Sequence, residues 1–127
     1  VVEVESTFYE QVGGEPFFKG LVDAFYAAVE QDELLRPMYP DDLEESKRHL
    51  TLFLMQYWGG PRTYQQERGH PRLRMRHAEF RITKRARDAW LVAMRHALSV
   101  VRQDLNDDQF EEIDSYFTMA ANQLRNV

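Results

Sequence analysis

There is no cysteine in this chain. That absence removes disulfides, thiolate zinc sites, cysteine-ligated iron–sulfur clusters and a cysteine nucleophile together, so a metal would have to be held by histidine, oxygen or methionine. An excess of cations is missing too, with 16 Lys and Arg against 21 Asp and Glu and a formal charge of −5. A broad electrostatic footprint for nucleic acid or anionic lipid is therefore not expected, although local basic patches are compatible with it. No apolar run approaches membrane-spanning length, and "VVEVESTFYE" lacks the basic-then-apolar order of a secretory signal. The expectation is a cytoplasmic protein that contacts neither nucleic acid nor membrane. HExxH and the i, i+4 histidine pair of a helical zinc site are also missing, so a multi-histidine metal site is not expected.

What is present is 43% apolar residues over 127 positions, enough for one core and not for two, so residues 1–127 are expected to form one domain. Phe17, Leu21 and Phe25, with the parallel row Phe18, Val22, Tyr26 and Val29, follow Pro16 and predict a long first helix. It ends near "QDELLRPMYPDD", where Pro37 and Pro40 remove donors and leave a tight connection around Tyr39. Asp41 or Asp42, each with a glutamate three residues later, predicts the cap of a second helix lined by Leu43, Leu50, Phe53, Leu54 and Tyr57, with Ser46 inside the stripe. Gly59, Gly60 and Pro61 stop it, and residues 59–72 read as a long polar connection. Thr83 predicts the cap of a third helix with Ala86, Ala89, Trp90, Ala93, Met94, Ala97 and Val101 inward, and "KRARD" at its start reads as a solvated face. Asn106 with Gln109 resembles a capping box for a fourth, which faces Phe110, Ile113, Phe117, Ala120, Ala121 and Leu124 inward. No strand alternation survives, so the class is all-α.

Tyr26, Ser46 and Trp90 place polar atoms within stripes that otherwise read as buried, and such atoms need partners. Local backbone bonding is one answer, and a ligand cavity with donors pointing in is the other. Of the four histidines, His70 falls in a loop, His49 at the flank of the second helix and His96 on the third. His77 differs, because Leu73, His77 and Phe80 form one apolar edge within "RGHPRLRMRHAEFRI". Spacing alone leaves open a hydrogen-bonded core histidine. Haem is the cofactor that needs one histidine, a dry slot between helices and cations such as Arg76 for its carboxylates.

The segments "VGGEPFF", "YPDDL", "FLMQYWGGPRTYQQERGHPRLRMRHAEFRI" and "RDAW" together resemble a group II truncated haemoglobin of the actinobacterial kind, over residues 8–124. The resemblance implies a two-over-two helical sandwich, a shortened globin fold carrying haem b. It implies His77 as the proximal iron ligand, Tyr26 and Tyr39 as distal tyrosines, and Trp90 as the tryptophan over the bound ligand. Leu50 and Ser46 match distal-helix positions, Ser46 standing where a small apolar residue is expected. Leu73, Phe80, Ile82, Phe53 and Tyr64 are expected to cover the macrocycle, and Arg76 to pair with a propionate.

Three function classes stay open on these residues. The first is a protein that binds dioxygen, or CO and NO, as a monomer or homodimer. The second is a haem redox enzyme, a peroxidase or a nitric oxide dioxygenase, the latter needing an external reductase because no flavin or nicotinamide domain is read here. The third is a haem-free helical interaction module. Gas binding is preferred, because the distal positions offer tyrosine and tryptophan rather than a distal base, unless His49 reaches inward.

Overall fold

The computed structural model describes residues 6–127, so residues 1–5 of the acidic stretch read above for a secretory signal lie outside the described residues. Among the described residues every regular element is helical: α1 (Phe8–Gln11), α2 (Glu15–Gln31), α3 (Glu44–Tyr57), α4 (Thr63–Arg68), α5 (Leu73–Arg76), α6 (Lys84–Val100) and α7 (Asp107–Leu124). Short 3-10 turns at Arg36–Met38 and Arg102–Asp104 complete the chain. None of these helices is long and apolar enough to cross a membrane.

α2 buries Phe17, Phe18, Leu21, Val22, Phe25, Tyr26 and Val29, a face too wide for one neighbour. It packs on both α3 and α6, α6 pairs with α7, and the result is the expected two-over-two sandwich of a truncated globin fold. On α6 the buried side chains Ala86, Ala93 and Ala97 are short, which permits a close approach of the helices. Phe18, Phe25, Leu21, Met94, Leu98 and Ile113 are fully buried between these layers.

Two predicted caps form as expected. The Thr83 hydroxyl accepts the Ala86 amide at 3.1 Å, and Asn106 and Gln109 exchange bonds of 2.8 and 3.0 Å in a capping box. The cap at Asp41 or Asp42 does not. Leu43 takes the N-cap position of α3 with no side-chain bond, because the Asp42 carboxylate accepts the Glu44 amide two residues on, at 3.0 Å, in a turn that competes with the capping box.

The connection at 59–72 also differs from its sequence reading, since residues Thr63–Arg68 form α4. Its polar surface hides the helical period; the helix is anchored instead by buried Tyr64 edge-on to Phe53 at 5.6 Å and by the Gln56 side chain accepting the Gln65 amide at 2.9 Å. Tyr57, read as core, is 48% exposed at the end of α3. Gly59 follows it with φ of 96°, and a Cβ there would stand 2.7 Å from the Thr7 Cβ, so the turn that docks α1 on α3 needs glycine.

Phe18→Ala is expected to cost about 3–5 kcal/mol, and exposed Met75→Ala within about 0.5 kcal/mol, in urea unfolding. Equal costs would show that burial between α2 and α6 does not carry the stability.

Candidate functional site

α2, α3, α4, α6 and α7, together with α5 and its following turn, leave a cavity of about 410 Å³ between them, within the range of small-molecule and cofactor sites. All twelve residues singled out from the sequence border it. Tyr26 comes from α2, Tyr39 from the proline-bounded connection, and Ser46, Leu50 and Phe53 from α3. Tyr64 comes from α4, Trp90 from α6, and Leu73, Arg76, His77, Phe80 and Ile82 from α5 and its exit. No aspartate or glutamate borders the cavity among the described residues, while Arg68, Arg76, Arg87 and His49 do.

His77 closes α5 as its C-cap residue. Its Nδ1 lies 2.6 Å from the Leu73 carbonyl, an acceptor, so Nδ1–H donates and Nε2 keeps its lone pair. Second partners of this kind fix the tautomer and the ring plane of a metal-binding imidazole. Phe80 stands 6.4 Å from the His77 ring, centroid to centroid. From beyond α7, Asn126 staples the following turn: its carbonyl oxygen accepts the Ile82 amide at 2.9 Å, its amide group donates to the Phe80 carbonyl at 2.8 Å, and its backbone N–H donates to the Ile82 carbonyl at 3.0 Å.

Arg76 has a structural task as well as a cationic one. Its Nε donates to the Pro71 carbonyl at 2.7 Å and its Nη2 to the Arg68 carbonyl at 3.0 Å, which folds the 69–72 turn back onto α5 and leaves Nη1 for an anion. Within that turn Arg72 is held at φ of 45°, a left-handed conformation uncommon outside glycine. Arg68 donates to the His49 Nδ1 and lies 5.8 Å over the Tyr64 ring. Burial, and then the Arg68 cation, lower the His49 pKa, so His49 reaches the cavity as a neutral acceptor already engaged. Arg87, within the stretch read as a solvated face, also borders the cavity and bonds Asp88 at 2.8 Å and Asn122 at 3.0 Å.

On the aromatic side the Tyr26 and Tyr39 rings meet edge-on at 5.5 Å, and Phe25 joins Tyr26 at 5.0 Å to Trp90 at 5.4 Å. Burial first, then the neighbouring Tyr39, push the Tyr26 phenol well above its usual range, with the Ser46 hydroxyl opposing. Burial pushes Tyr39 up to about 12, with the Trp90 indole opposing. Both phenols are thus O–H donors at any physiological pH.

Residues 7–123 match the model of the bacterial-like globin family. The chain is a bacterial-like globin. Its relatives include the group 2 truncated haemoglobin YjbI of Bacillus subtilis, 47% identical over 73% of this chain and 70% of the relative. Among solved structures it is similar to the haemoglobin of the thermophilic phototroph Chloroflexus aurantiacus, 52% identical with a TM-score of 0.92 over 97% of this chain and 100% of the other. It is also similar to the truncated oxygen-avid haemoglobin of Bacillus subtilis, 40% identical with a TM-score of 0.89 over 95% and 100%. Its structural neighbours are group II truncated haemoglobins, and the globin family carries haem.

The globin's cavity suits that group on its own evidence. Its walls are mainly apolar, the charged side chains bordering it are cations with no aspartate or glutamate beside them on the lining among the described residues, and it holds one imidazole whose Nε2 is uncommitted. A flat apolar group with two carboxylates is the complement of such a lining. Sequence reasoning missed Arg68, Arg87, Tyr116 and Asn126. Arg68 lies in the stretch read as a polar connection and Arg87 in the one read as a solvated face, Tyr116 stands next to Phe117 outside the stripe read on the last helix, and a lone asparagine after that helix carries no periodic signal.

Two outcomes are expected. Asn126→Ala should speed hydrogen exchange at the Ile82 amide with about 1 kcal/mol lost from stability; unchanged exchange would show that the staple does not hold the turn. For alkaline pH, the folded-state pKa of Tyr39 is raised above the unfolded value near 10. Its contribution is complete below about pH 10 and is lost as pH rises through about 12, and buried Tyr26 and Tyr116 act in the same direction. Stability against urea should therefore fall above pH 10, and a flat profile would contradict burial of the phenols.

Proposed function

We propose that this globin binds dioxygen reversibly and with high affinity at a haem b held by His77. The observation that carries the reading is that one apolar cavity is bordered both by an imidazole with a free Nε2 and by three polar donors, Tyr26, Tyr39 and Trp90. When bound, haem supplies the iron on which a diatomic gas is held and takes partial negative charge.

The residues then divide the work. His77 Nε2 would offer the lone pair that holds the iron, with its ring set by the Leu73 carbonyl. Arg76 and Arg68 supply positive charge for carboxylates, while Leu50, Phe53, Tyr64, Leu73, Phe80 and Ile82 exclude water. Inside such a low-dielectric site the two phenols and the indole stabilise negative charge on the gas. At about 1 kcal/mol each, two or three such bonds slow release by roughly 30- to 150-fold. The oxygen-avid character of the Bacillus subtilis haemoglobin supports this reading. CO carries less charge and gains less from the donors, so the pocket favours dioxygen over CO.

Trp90→Phe and Tyr26→Phe should each raise the dioxygen dissociation rate about five-fold and leave CO release little changed. Unchanged dioxygen release in both would remove the donor argument. Trp90→Leu behaving like Trp90→Phe separates hydrogen bonding from bulk. His77→Gly should lose stable haem attachment, and a native-like spectrum in that variant would remove His77 as the residue that holds the iron.

A further inference from the structure

The charge of this chain is not spread evenly. Residues 72–85 hold six cations and one acid, Glu79, a formal +5, while the remaining positions hold 10 cations against 20 acids. That basic stretch forms the wall of the cavity made by α5, its exit and the start of α6, and the wall is one chain layer thick. Its inner side is Leu73, Arg76, His77, Phe80 and Ile82, which border the cavity. Its outer side is Arg72, Arg74, Arg81, Lys84 and Arg85, all exposed and none in an ion pair among the described residues. Two apolar side chains lie among them, Met75 at 61% exposure and Phe80 at 39%, and Phe80 reaches both sides of the wall.

We propose that this outer face is the docking site of an acidic one-electron carrier protein that keeps the iron reduced. The proposal rests on haem occupying the cavity as read above. Arginine, methionine and aromatic side chains are enriched at protein interfaces, where an apolar centre sits inside a polar rim. Like charges gathered without counter-charges repel one another, so the face is stabilised when carboxylates arrive. The opposite charge on the rest of the chain makes the molecule a dipole, which turns the basic face toward an acidic partner during encounter. An extended polyanion, a duplex or an anionic bilayer, would also meet the acidic remainder, whereas a compact carrier covers this face alone.

Position gives the face its use. Dioxygen that departs as superoxide takes one electron from the iron, and the chain has no cysteine and hence no thiol couple to return it. Electron tunnelling falls off exponentially with separation, so an electron enters fastest through the thin wall that carries His77. The return is balanced as a single electron transfer. The anionic hydroquinone of a flavin carrier becomes its neutral semiquinone, the ferric iron becomes ferrous, and no proton is exchanged.

The test mixes the ferric haem-loaded globin with flavodoxin hydroquinone by stopped flow under argon, over a series of salt concentrations. Wild type should be reduced at a rate that falls steeply with salt, because screening shortens the reach of the face. Arg74→Glu and Arg85→Glu should each slow reduction several-fold at low salt, and the double variant by about tenfold or more with a flattened salt dependence. Lys19→Glu makes the same change of charge on exposed surface of α2 and should differ little from wild type. The haem spectrum and dioxygen release should be the same in every variant. Equal reduction rates in wild type and the double variant, or equal slowing by Lys19→Glu, would overturn the proposal and leave the haem reading standing. So would binding at physiological salt that depends on Arg74 and Arg85 but goes to phosphatidylglycerol vesicles, duplex DNA or a second copy of the chain in place of flavodoxin. Failure of the chain to take up stoichiometric haem would overturn both.

Discussion

The packing of α2 across α6 is the constraint on which the rest depends. α2 spends two rows of apolar side chains, one toward α3 and one toward α6, and the small residues of α6 allow that contact to be close. Toward the other end, Phe25 and Trp90 meet at 5.4 Å, and large rings hold apart what alanines bring together. The same helix pair thus builds a dense core and the edge of a void, so the cavity is a product of side-chain size along two helices rather than of a missing element.

Around that void, polarity is arranged by commitment rather than by amount. Arg76 gives two donors to carbonyls of its own chain, Arg68 gives one to His49, and His77 gives Nδ1 to Leu73. Each is left with part of its capacity uncommitted, and each is fixed in place by the part that is used. Pre-set groups lose little freedom when a partner arrives, which is how a small number of charges can be selective in a mainly apolar site.

Legibility in the sequence followed locality. Thr83 and Asn106 read correctly because a cap is a matter of four residues, whereas Asp42 matched the same pattern and made a shorter turn instead. The long helices showed through their period. α4 did not, because only Tyr64 of its six residues is buried and a single buried ring has no period. The cavity residues were readable where a stripe carried an out-of-place polar atom, as at Tyr26, Ser46 and Trp90, and elsewhere through resemblance to a family. Tyr57 read as core because it continues the stripe of α3, but the helix ends there and its face meets Tyr116 and solvent. Asn126 acts on residues 77–82 from more than forty positions away, and nothing local to it announces that.

The short helix α5 has a consequence for how the cavity is filled. It contributes no buried residue of its own, spans four positions and is preceded by a turn holding Arg72 in the left-handed region. Its attachments are one partly buried side chain, Leu73, and a few hydrogen bonds to carbonyls, with Asn126 holding the turn that follows, while α2 and α6 are joined by fully buried side chains. Local opening draws on the least buried element first. The wall that must part to admit a group as wide as a macrocycle is therefore the wall whose parting exposes least apolar surface, and loading can proceed by a hinged excursion of this one edge while the sandwich stays closed.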